Sequence, residues 1–116
     1  MKKFFVLFNI PSAAIQEWMT TTDEATRTKQ TQEMMEEWRA WMSAHQEEVF
    51  DKGLPVGKTK RITAQGVEDA KNEINWYLIV EAESHEAAAD MFTDHPHLKI
   101  PSAYIEVSDA SRPGME

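Results

Sequence analysis

Cysteine is absent from the 116-residue chain. That excludes disulfides, thiolate nucleophiles and Cys-based zinc or iron–sulfur sites, and it suits a reducing compartment, so a cytoplasmic setting is expected. Glycine is scarce, at four residues, and Gly57-Lys58-Thr59 lacks the upstream glycine of a phosphate-binding loop. No G-x-S-x-G nucleophile elbow occurs either. No run approaches the ~20 apolar residues that cross a bilayer. Positive charge is in deficit, with 12 Lys and Arg against 20 Asp and Glu and a net charge of −8. A phosphate backbone or an anionic bilayer is repelled by such a chain. Its only basic cluster is Lys58, Lys60 and Arg61. Neither nucleic acid nor membrane is expected as a partner, and no cofactor or metal is expected.

What the chain does contain is amphipathic pattern. Without an internal Pro/Gly/Ser-rich linker, one domain is expected over residues 1–108, followed by a tail at 109–116. A domain of this size buries roughly 65% of the surface its unfolded chain exposes, enough to fold without staples. Lys2-Lys3 ahead of Phe4 to Ile10 and Pro11-Ser12-Ala13-Ala14 imitates a short signal peptide. The sequence Phe-Phe-Val-Leu-Phe fits a buried first strand better, over Lys3 to Ile10, ended by Pro11. Ser12 is placed to cap a short helix carrying Ile15, Trp18 and Met19, and Thr21 with Glu24 has capping-box spacing. Met34, Met35, Trp38, Trp41, Met42, His45 and Val49 recur at three- and four-residue intervals, predicting one helix to about Phe50, stopped by Gly53 and Pro55. Residues 56–63 read as a polar strand, Gly66 to Glu73 as a charged connection, and Asn75 to Ala82 as a second apolar strand. Ser84 caps a second helix that ends near Asp94, ahead of Pro96. Ala103 to Val107 reads as the last strand.

The order β-α-β-β-α-β is the ferredoxin-like α+β arrangement with a four-stranded antiparallel sheet. It places the first and third strands at the centre, and these are the two that are apolar at nearly every position. Helices cover one face of such a sheet. Phe4, Val6 and Phe8 point away from Phe5 and Leu7, and Trp76, Leu78 and Val80 away from Tyr77 and Ile79. The second face therefore also carries large apolar groups, each forgoing roughly 1.5–3 kcal/mol if left in water. A homodimer pairing sheet to sheet is the simplest cover, the alternatives being the C-terminal tail or an ordinary surface patch.

Glu81-Ala82-Glu83-Ser84-His85-Glu86-Ala87-Ala88-Ala89-Asp90, His95-Pro96-His97-Leu98 and Tyr104-Ile105-Glu106-Val107 resemble the YCII-related family, closest to its DGPF-domain branch. The N-terminal strand and the Trp-rich helix ahead of Gly53 agree, so the resemblance covers roughly residues 1–108. It implies a dimeric α/β-barrel of two ferredoxin-like protomers with a cleft between sheet and helices. One branch resembles enzymes that remove chloride from chlorinated hydroxyhydroquinones, and members often carry a His–Asp pair proposed as acid–base machinery. Here His95 stands where those relatives have Asp before the proline. Met42 falls where their helix carries histidine, with His45 one turn on.

His95 and His97 flank Pro96, and in an extended stretch residues two apart point the same way. Two imidazoles can shuttle a proton; they can equally be a hydrogen-bonded structural turn, and H-x-H alone sets no third metal ligand. His45 on the apolar stripe is either a packed histidine or a general base. Trp38, Trp41 and Met42 either pack the core or line an aromatic-ligand cleft, with Tyr104 and Asp94 as further contacts. Three functions follow. The first is a lyase- or dehydrochlorinase-type enzyme with His95, His97 and His45 as proton carriers on a small-molecule substrate. The second is a non-catalytic ligand-binding or dimeric assembly module. The third, on fold analogy alone, is a cofactor-free monooxygenase-like activity.

Overall fold

The computed structural model describes residues 1–111. Strand β1 (Lys2–Asn9) lies between β5 (Ile74–Ala82) and β6 (Tyr104–Asp109), antiparallel to both. Its aromatic and β-branched side chains suit a pleated surface, fully buried on the Phe4, Val6 and Phe8 side. A three-residue strand, β2 (Val49–Asp51), pairs with the outer edge of β5, giving the order β2-β5-β1-β6. This is an α+β architecture with a four-stranded antiparallel sheet, compatible with the ferredoxin-like order.

The second strand of that sheet is not residues 56–63, as the alternation predicted, but 49–51. Residues β3 (Thr59–Thr63) and β4 (Gly66–Ala70) form a separate two-stranded hairpin. The predicted connection at 66–73 thus contains a strand. The long helix α2 (Glu24–Ala44) also ends earlier than its periodicity suggested. After Ala44, the Glu48 and Val49 amides bond back to the His45 carbonyl, and the Glu81 amide takes the Glu48 carbonyl at 2.8 Å. The ladder to β5 captures a segment whose spacing alone would continue a helix.

Helix α1 (Ser12–Thr21) begins after Pro11, and neither it nor α2 has a side-chain cap bond; Asp23 precedes α2, so the Thr21–Glu24 box does not form. Helix α3 (His85–Asp90) is capped as expected, the Ser84 Oγ accepting from the Ala87 amide at 3.1 Å. It stops at Asp90, and Pro96 opens a 3₁₀ turn, Pro96–Lys99, where its fixed φ suits the first helical position.

Phe4, Val6, Phe8, Leu78, Val80 and Ala82 face the helices and meet Trp41, Ala88 and Phe92 in one buried core. The opposite sheet face carries Phe5, Leu7, Tyr77 and Ile79 at its centre, half-buried by one another. No described element packs on it. Gly53 secures the β2 edge: its φ is +70° and a Cβ there would sit 1.5 Å from the Tyr77 carbonyl oxygen, so only glycine fits. The Trp76 indole donates to the Lys52 carbonyl at 3.0 Å over the same turn. The molecule is flat, 51 × 45 × 19 Å. Its Cα radius of gyration is 16.2 Å, against roughly 13 Å for a compact domain of this length. Among the described residues, no helix is long and apolar enough to cross a membrane.

Candidate functional site

The His95-Pro96-His97 segment is drawn inward rather than extended. The His95 amide bonds to the Phe92 carbonyl at 3.2 Å, and His95 then acts as the cap of the 3₁₀ turn. Its Nδ1 accepts from the His97 amide at 3.0 Å. In the neutral imidazole the proton therefore sits on Nε2, which is buried and has no hydrogen-bond partner. The His97 ring donates through Nε2 to the Asn9 carbonyl at 3.0 Å, tying the turn to the end of β1. Both histidines are 1% exposed.

Phe8 is the hub they share. Its ring lies 5.0 Å from that of His95, 5.2 Å from His97, 4.8 Å from Trp38 and 6.0 Å from Phe92. Trp38 and Trp41 approach the His95 imidazole edge to face, at 4.6 and 4.7 Å. Trp41 is held by its indole donating to the Met91 carbonyl at 3.2 Å. His45 ends α2, half-buried and stacked on Trp41 at 4.3 Å.

Apolar burial lowers the His95 pKa to about 3, helped by the repulsion of charge on His97 and His45. The His97 pKa is also lowered by burial, while bonds to the Asn9 and Tyr104 backbone carbonyls pull it upward. No carboxylate contributes to either shift. At neutral pH His95 is thus an uncharged imidazole in an aromatic box, far below the pKa near operating pH that favours general base catalysis.

The structure therefore gathers His95, His97, His45, Trp38 and Trp41 into one cluster. It leaves the other three predicted contacts outside. Met42 lines a hollow of about 200 Å³ with Ser43, Gln46, Val49 and Lys52. Tyr104 belongs to a groove of about 390 Å³ with Phe92, Thr93, Leu98, Ile105 and Val107. Neither hollow is lined by the three histidines. Asp94 is exposed beside the turn. Among the described residues, no group of three or more His, Asp or Glu side chains is arranged to hold a metal ion.

Two features lay beyond sequence reasoning. The Tyr104 hydroxyl donates to the Glu73 carboxylate, a pair 31 residues apart with no spacing signal. The Glu73 carboxylate holds the phenol above its usual pKa. His85 stacks on Phe4 at 5.3 Å and its Nε2 reaches the Val107 carbonyl at 2.7 Å, fastening α3 to β6. Its place just after the Ser84 cap was the only hint. No protein-family model matches this chain, and a search of curated proteins gives no match to it.

Proposed function

We propose that this chain is a self-pairing module whose two copies close their open sheet faces on each other and carry a small-ligand cleft on the helix side. One observation supports this above others: Phe5, Leu7, Tyr77 and Ile79 form a contiguous apolar centre that no described element covers. Around it stand Lys3 paired with Glu81 at 3.7 Å, Lys3 again over the Phe50 ring at 4.6 Å, and the Tyr104–Glu73 pair. An apolar centre with a polar rim is the anatomy of a protein interface. The resemblance to the YCII-related family, carried by the segments around Ser84, Pro96 and Tyr104, points to the same pairing.

Sedimentation at micromolar concentration tests it. A two-copy species is expected, and Ile79→Lys should shift it to monomer by placing a charge in the apolar centre. A wild-type chain that sediments as a monomer removes the reading. For the ligand, a thermal-shift screen of compact aromatic compounds should raise the midpoint by mass action.

A second reading is lyase- or dehydrochlorinase-type chemistry in which His95 donates a hydrogen bond from Nε2 to the substrate rather than serving as the base. What favours it is the buried, unpartnered Nε2 between Trp38 and Trp41, a donor without an acceptor. A compact aromatic substrate with an acceptor oxygen would satisfy it once the aromatic box opens, since neither hollow reaches His95. Loss of binding in His95→Ala, with the fold retained, is the expected result; unchanged binding would end this reading.

A further inference from the structure

The hairpin of β3 and β4 is the part of the molecule least explained by its own chain. Its five residue pairs run from Thr59↔Ala70 to Thr63↔Gly66, and neither strand joins the main sheet. An isolated two-stranded hairpin is marginally stable in water. Among the described residues this one is anchored at its root, where the Asn72 side-chain amide donates to Thr59 Oγ1 at 3.2 Å and the Asn72 side-chain oxygen accepts from the Ile74 amide. Near its tip, Ile62 and Val67 pair directly across the strands while 78% and 64% exposed. They share a face with the Lys60–Asp69 ion pair, and the other face carries Arg61 and Glu68.

Charge separates the ribbon from the body. Lys58, Lys60, Arg61 and Lys71 stand against Glu68 and Asp69, so residues 57–72 carry +2; the whole chain carries −8, leaving −10 on the rest. A basic ribbon with an apolar tip has its complement on the acidic body of another copy.

We propose that the hairpin is a clasp that lies on a second copy of this chain, burying Ile62 and Val67 and setting Lys58 and Lys71 against the partner's acidic surface. In a two-fold pair each copy gives one clasp and receives one. This rests on the self-pairing reading and adds to it a second contact, separate from the sheet face.

The experiment compares the wild-type chain with an Ile62→Thr, Val67→Thr variant by sedimentation, with amide hydrogen exchange across residues 59–70. Threonine keeps strand propensity at both exposed positions, so the fold is retained. Loss of two buried apolar contacts per clasp is expected to weaken association about 100-fold or more. In the wild type, hairpin amides should exchange slowly when paired and speed up on dilution. Unaltered association in the variant, with rapid hairpin exchange in the wild-type pair, overturns the clasp and leaves the sheet-face pairing intact. A wild-type monomer overturns both.

Discussion

Acid should destabilise this protein through His95 well before its carboxylates titrate. In the folded chain His95 is 1% exposed, with its pKa lowered to about 3. In the unfolded chain it regains its ordinary value near 6.5. A base whose folded pKa is depressed binds fewer protons folded than unfolded, so stability is full above pH 6.5 and falls as pH drops toward 3. Each pH unit in that window costs about 1.4 kcal/mol, so lowering the pH from 7 to 5 removes about 2 kcal/mol through this one side chain. The figure is set by the unfolded value and is the same for any folded pKa below about 4. His97, also lowered, adds in the same direction. Urea unfolding followed by tryptophan fluorescence at pH 7, 6 and 5, at fixed protein concentration, measures the slope. His95→Asn keeps a side-chain oxygen to cap the His97 amide but does not titrate, so its loss between pH 7 and 5 should be smaller by about 2 kcal/mol. Parallel slopes in the two proteins would refute the reasoning. So would an imidazole resonance of His95 titrating near pH 6.5 in the folded wild type.

Two further outcomes follow from the packing. Gly53→Ala puts a methyl 1.5 Å from the Tyr77 carbonyl oxygen at a left-handed φ, so the β2 turn must leave β5. The unfolding midpoint should fall by roughly 10 °C or more, and an unchanged midpoint would deny the close approach. Trp41→Phe keeps a ring against Phe92 and His45 but deletes the indole bond to the Met91 carbonyl. A loss of about 1 kcal/mol in urea unfolding is expected; a loss above about 3 kcal/mol would show that indole shape, not the hydrogen bond, holds α2 to α3.

The central strands were legible because β1 and β5 carry apolar residues at successive positions, a pattern that suits the centre of a sheet rather than its edge. Ser84 was legible because capping is local chemistry. Val49 was not: it sits four residues after His45, so helical spacing and strand pairing compete for it, and the bond between Glu81 and Glu48 decides the outcome from 33 residues away. The alternation at 59–63 correctly indicated a strand but not its partner, because a polar ribbon states nothing about which edge it joins. In the histidine cluster the residue types were visible. Their burial was not, since Phe8 and Phe92 close over His95 only once β1 and the segment after α3 meet.

The two edges of the sheet constrain how copies of this chain can grow together. On the β2 side, three strand residues are followed by the Gly53 turn and by Pro55, which bridges to Trp76 and has no amide hydrogen to offer. On the β6 side, Glu106 and Asp109 would bring like charges together if two such strands aligned. In the four-stranded sheet, backbone templating, the route by which sheets lengthen into fibres, is opposed at one edge by the missing Pro55 donor and at the other by repulsion. Exposed apolar surface is left on the sheet face and at the Ile62–Val67 tip of the hairpin, and a two-fold pair covers each of them once. Concentrating this protein should therefore yield a species of closed size rather than an open-ended polymer.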